Sequence, residues 1–169
     1  GRAGVGFTLR NPGRVWGLVL SGSNGGSVNN EARLVRDGHQ NRKPDRPPGA
    51  LRALSLGFAA SKPEMAFLYR QFMRLNPKHD PDFLTVPPGY QGSTHERLTE
   101  SGVPILYIVG EEDALIAPKT IEIAASLVPQ SRLITMPEAG HSVYYEQPDV
   151  FNDHVHRFLT EVMPLATDG

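Results

Sequence analysis

The sequence has no cysteine among its 169 residues. That excludes disulfides, thiolate metal sites and a cysteine nucleophile within these residues, although it leaves the compartment open. No apolar run approaches the ~20 residues that a membrane-spanning helix needs. No signal peptide is visible, which fits a cytoplasmic protein. Charge of one sign is also lacking. The net charge is -1, so nothing in the balance points to nucleic acid or to an anionic membrane surface as a partner. No stretch repeats internally. The chain opens on Gly1 and not on methionine, as a processed or partial chain would.

With 39% hydrophobic residues, the chain is long enough for one domain with a real core. Three stretches read as buried strands: Val15 to Leu20, Pro104 to Val109 and Leu133 to Met136. Each is short, nearly continuous in apolar residues and bounded by turn residues. This suits parallel strands covered on both faces.

Helices are expected between and after these strands. Pro118 opens a segment in which Ile121, Ala124, Ala125 and Val128 share one face, and Pro129 stops it. Pro148 opens another, with Phe151, Val155, Phe158 and Val162 on one stripe. Residues 2–10 read as a helix ending before Pro12. The order is that of an α/β fold.

Between the first two strands lies a long insertion. Residues 21–50, dense in Gly, Ser, Asn, Arg and Pro, read as loop. Residues 50–75 read as helical. Ser61-Lys62-Pro63-Glu64 fits a capping box, and Met65, Leu68, Tyr69 and Phe72 form an apolar stripe behind it. Residues 76–101 read as a Pro/Gly/His-rich connection. Trp16 and Tyr107, within strands, are expected in the core.

Two residues carry chemistry. Asp113 stands three residues past Gly110, the glycine that closes the second strand. His141 follows the third strand 28 residues further on, in Gly140-His141-Ser142. Parallel sheets present reactive groups at the carboxyl ends of their strands. Adjacent strands would bring the two loops to one rim, where a carboxylate can hold an imidazole through Nδ1–H and leave Nε2 to take a proton. Taken singly, an Asp in a loop is usually solvated and a His beside glycine is usually structural. Their paired placement after successive strands is what favours catalysis. No third ligand sits at metal spacing, so no metal is expected, and nothing in the pair implies a cofactor.

Gly110-x-x-Asp113-x-x-x-x-Pro118, then Gly140-His141, then Glu146-Gln147-Pro148-x-x-Phe151-Asn152 resembles the C-terminal end of the α/β-hydrolase superfamily. The resemblance implies the last three parallel strands of that fold with flanking helices and an inserted helical cap. Residues 1–23 and 102–169 would form the core, and residues 24–101 the cap. It implies a Ser-His-Asp triad with Asp113 as acid and His141 as base, acting on a carboxylic ester or another small acyl substrate. Gly1 aligns with the last glycine of a nucleophile elbow, so the serine is expected about three residues before it. Residues 1–169 would then be inactive by themselves, and the strand at residues 15–20 would present an apolar edge.

A rival nucleophile, Ser23, lies in Ser21-Gly22-Ser23-Asn24-Gly25. The residues after it are poor helix formers, whereas an elbow opens directly into a packed helix. Phe67, Leu68 and Phe72 are candidates to line an acyl pocket, with packing of the cap onto the core as the plainer reading. Tyr144 and Tyr145 could border the cleft. Two alternatives stay open: an aspartate nucleophile, as in epoxide hydrolases and haloalkane dehalogenases, and a non-catalytic ligand-binding protein on the same scaffold.

Overall fold

The computed structural model describes residues 1–26, 29–41, 51–75 and 92–163. Three strands, β1 (Leu18–Ser21), β2 (Ile105–Gly110) and β3 (Ser131–Met136), pair in parallel in the order β1-β2-β3. Leu18 is level with Ile105, and Ile105 with Ser131, so the carboxyl ends of all three strands lie along one rim. Every residue of the central strand β2 is buried. This is why its sequence is an unbroken apolar run, without the alternation of a half-exposed strand.

Helices cover both faces. On one face Ile105, Tyr107 and Val109 pack with Val5 of α1 (Arg2–Arg10), with Leu98, and with Ile121, Ala124 and Ala125 of α6 (Pro118–Ser126). On the other, Leu106 and Ile108 meet Val143 of α7 (Val143–Glu146) and Phe158 of α8 (Pro148–Val162), with Phe151, Val155 and Val162 packed alongside. Odd and even positions of β2 therefore feed separate clusters, as strand geometry requires. Burying each such aliphatic side chain contributes about 1.5–3 kcal/mol. Both expected proline-initiated helices, α6 and α8, form and present the expected stripes.

Among the described residues four helices lie between β1 and β2: α2 (Asn30–Asn41), α3 (Leu56–Ser61), α4 (Pro63–Leu75) and α5 (His95–Glu100). Two of these correct the sequence reading. α2 occupies part of the expected loop over residues 21–50. Asn29 caps it by accepting the Ala32 N–H at 2.8 Å, and Ala32 is fully buried. α5 occupies part of the expected connection over residues 76–101, capped by Thr94 and carrying the fully buried Leu98 into the core. Residues 27–28, 42–50 and 76–91 of those two segments, the last including His79, lie outside the described residues.

The capping box at Ser61 is also corrected. Ser61 ends α3 and donates its hydroxyl back to the Gly57 carbonyl at 2.8 Å. Lys62 precedes α4, and its carbonyl takes the Ala66 N–H at 3.0 Å. Ser55 is the cap of α3, accepting the Phe58 N–H at 3.1 Å. Trp16 is not a core residue: it is 58% exposed, because pairing with β2 starts only at Leu18, whose amide donates to the Pro104 carbonyl. Tyr107 is fully buried, as expected. None of the residues of α4 is buried, so its apolar stripe does not pack into the core. Among the described residues no helix is long and apolar enough to cross a membrane.

Candidate active site

Asp113 leaves the end of β2 in a tight turn, its amide donating to the Gly110 carbonyl at 3.1 Å. The carboxylate is buried and accepts three hydrogen bonds. Oδ1 takes the backbone N–H groups of Leu115 at 2.8 Å and Ile116 at 2.9 Å. Oδ2 lies 2.8 Å from His141 Nδ1. A buried carboxylate is costly unless its lone pairs are used, and here the following turn supplies the compensation. The two backbone donors also fix the plane of the carboxylate before the histidine arrives.

His141 follows β3 through a short loop bonded to the Asp113 loop, with Glu111 N–H on the Met136 carbonyl and Glu112 N–H on the Ala139 carbonyl, both at 2.9 Å. Within it Glu138 adopts a φ of 55°. Among the described residues the only hydrogen bond of the His141 side chain is that to Asp113. With the carboxylate accepting, Nδ1 carries the proton and Nε2 keeps its lone pair. The side chain is 28% exposed, so that lone pair has access to the rim.

The end of β1 contributes space. Gly22 has a φ of 56°, and a Cβ there would stand 2.7 Å from His141 Cε1 and 2.8 Å from Nδ1. Only glycine both tolerates this backbone and leaves room for the ring. Ser23, next to it, accepts the Gly25 N–H at 3.3 Å and lies against Gly1. It is thus part of a turn, and the described part of α2 begins only at Asn30.

Helices α3 and α4 and the segment ahead of them are fastened to these loops. Arg52 donates to the Ala114 carbonyl at 2.8 Å, and Ser142 N–H to the Ala53 carbonyl at 2.9 Å. The Tyr69 hydroxyl meets Ser142 Oγ at 2.8 Å, and Tyr145 donates to the Met65 carbonyl at 2.8 Å. Burial, the largest influence, pushes the Tyr69 phenol above its ordinary range. Tyr145 also packs edge-on against Phe58 and Tyr69. Phe67, Leu68 and Phe72 are 63%, 41% and 53% exposed on α4. Tyr144 is half-exposed against Phe151. His154 and His156 lie on α8.

Glu146 is named in the sequence motif, which gives its side chain no role. It is 3% exposed, and its two carboxylate oxygens accept the N–H groups of Gly140 at 2.9 Å and Ser55 at 2.8 Å. Its position three residues after the apolar Val143, on the same face of a short helix, is the signal that a buried acid could have given. Among the described residues no three His, Asp or Glu side chains gather as a metal site would require.

The model of the alpha/beta hydrolase family matches residues 10–154, and the chain belongs to that family. A Bacillus subtilis protein provisionally named as a 2-succinyl-6-hydroxy-2,4-cyclohexadiene-1-carboxylate synthase is 39% identical over 74 residues, which are 44% of this chain and 27% of that protein. An uncharacterized carboxylesterase of the same organism is 36% identical over 67 residues, 39% of this chain and 22% of its own length. A thermophilic esterase from Thermogutta terrifontis has the same fold, with a TM-score of 0.66 at 22% identity over 95% of this chain. This chain spans 61% of the length of that esterase.

Proposed function

We propose that the chain carries the acid and the base of a Ser-His-Asp hydrolase acting on carboxylic esters or related small acyl substrates. The observation that carries this reading is the 2.8 Å contact between His141 Nδ1 and a buried Asp113 carboxylate at the carboxyl ends of adjacent parallel strands. In this reading His141 Nε2 takes the proton of the attacking serine hydroxyl as the tetrahedral intermediate forms. It then returns that proton to the leaving alkoxide. Asp113 holds the productive tautomer and stabilises the imidazolium. Water repeats the cycle on the acyl-enzyme and frees the acid. Neither a cofactor nor a metal takes part.

The attacking serine and the oxyanion donors belong, on this reading, to residues outside 1–169. The carboxylesterase among the relatives supports the ester class. The cap comprises residues 24–101, with α5 returning the chain to the core through Leu98. Phe67, Leu68 and Phe72 are the candidates for the acyl side. The bond from Tyr69 to Ser142 beside His141 supports Phe72 and Leu68, which flank Tyr69 on α4, whereas Phe67, two residues from Tyr69, faces the other way. The test is His141→Ala in the full-length protein, assayed on p-nitrophenyl acetate. Removing the base should lower kcat by roughly 10⁴- to 10⁶-fold. Turnover near that of the unaltered enzyme would overturn the assignment.

A further inference from the structure

The loop bearing His141 is tied to the segment ahead of α3 by a carboxylate that the triad chemistry does not use. Glu146 Oε1 accepts the N–H of Gly140, the residue before His141, and Oε2 accepts the N–H of Ser55, the cap of α3. The two backbones touch with nothing between them: a Cβ on Gly140 would stand 2.6 Å from the Ser55 nitrogen and 2.7 Å from the Leu54 carbonyl carbon. The same short segment bonds Ser142 through the Ala53 carbonyl and the Asp113 loop through Arg52. Residues 52–55 thus lie as a splint across both loops, and Glu146 is its buried fastening.

The chemistry of the residue is specific to this task. Two N–H donors arrive from different chain segments, and an ionised carboxylate offers each an acceptor. A glutamine of equal size offers one acceptor and turns its NH2 towards the other donor. An aspartate keeps both acceptors but is one methylene too short to span the gap. Burying a charge for packing alone is unfavourable, since apolar side chains fill space at lower cost.

We propose that Glu146 is a positioning residue. It fixes the Gly140 peptide against residues 52–55 and thereby couples the seating of α3 and α4 to the placement of the His141 imidazole on Asp113. This inference rests on the triad reading above. Loss of the fastening lets the imidazole shift on its carboxylate, and a misplacement of about 1 Å costs on the order of 100-fold in rate.

The test uses Glu146→Gln in the full-length protein, with Glu100→Gln, at an exposed carboxylate at the end of α5, as control. Hydrolysis of p-nitrophenyl acetate and the proton resonance of His141 Nδ1–H are measured well below the melting temperature. Glu146→Gln should lower kcat by about 10- to 100-fold with little change in KM, and should broaden or remove the resonance. Glu100→Gln should leave both unchanged. Glu146→Asp carries the same test where the amide variant does not fold. An unchanged kcat and an intact resonance, even with a lowered melting temperature, would reduce Glu146 to a structural role. The resonance needs no turnover, so it judges Glu146 even if His141→Ala proves active and the triad reading falls.

Discussion

Asp113→Asn gives the sharpest consequence of the geometry. The substitution keeps size and shape and exchanges one oxygen for NH2. Which way the amide turns is decided by the backbone. Leu115 and Ile116 both aim N–H groups at the Oδ1 position, so the single remaining oxygen must sit there. The NH2 then faces His141 Nδ1, 2.8 Å away in the unaltered protein. Nδ1 can only accept from it, which moves the imidazole proton to Nε2. That nitrogen has then lost the lone pair needed to deprotonate a hydroxyl. In a serine protease triad the same wrong tautomer lowers kcat by about 10⁴-fold. At about 1.36 kcal/mol per tenfold, this is ~5.4 kcal/mol of barrier. The fold should survive, because both turn donors keep their acceptor and the bond to the imidazole is reversed and not broken; what is lost is its charge assistance, at most about 1.5–3 kcal/mol. The assay is steady-state and burst kinetics on p-nitrophenyl acetate with the full-length protein, beside a thermal melt. A folded variant retaining kcat within about tenfold would refute the argument.

Two further perturbations read other parts of the site. Gly22→Ala adds a methyl at a φ of 56° and 2.7 Å from His141 Cε1. It should cost about 1–2 kcal/mol of stability, and its displacement of the ring should lower kcat by on the order of 100-fold. Unchanged kinetics would mean that the ring is not held where the structure has it. Tyr69→Phe leaves the buried Ser142 hydroxyl without its Tyr69 partner and should destabilise by about 1–3 kcal/mol. Because the folded protein raises the Tyr69 pKa above 10.0, its neutral form stabilises the fold. That contribution is complete below about pH 10 and fades as pH rises through the folded value. Unaltered protein should therefore lose stability more steeply than Tyr69→Phe in alkali, and parallel denaturation profiles would contradict this.

The sheet and its two flanking proline-initiated helices were legible because burial on both faces leaves an unambiguous imprint. β2 is buried at every position, and the stripes of α6 and α8 each carry several apolar side chains into a core cluster. α2 and α5 escaped because each sends few side chains inward. Ala32 is buried on α2 and Leu98 on α5, too few to set a period. The Ser61 capping box failed for a related reason. Two short helices abut there, so the hydroxyl could bond backward into α3 instead of forward into α4. The meeting of Asp113 with His141 was legible from their offsets after adjacent strands, which fix where a loop residue stands more tightly than composition does. The role of Glu146 was not, since its partners are backbone N–H groups from residues 91 and 6 positions away; its spacing from Val143 marks it as buried without naming them.

The site stands on loops, yet its imidazole has little freedom. Asp113 holds Nδ1, Gly22 closes the edge of the ring, and the Gly140 peptide ahead of it is held by Glu146. The loops themselves are laced by backbone bonds, Gly22 to Ile108, Glu111 to Met136 and Glu112 to Ala139. Orientation is therefore fixed during folding, and little entropy is left to lose when a substrate arrives. The direction left open is that of Nε2. A proton donor approaching the rim meets a basic nitrogen already aimed, backed by a negative charge that water does not screen. On the proposed reading, this arrangement suits activation of a hydroxyl by proton transfer to Nε2.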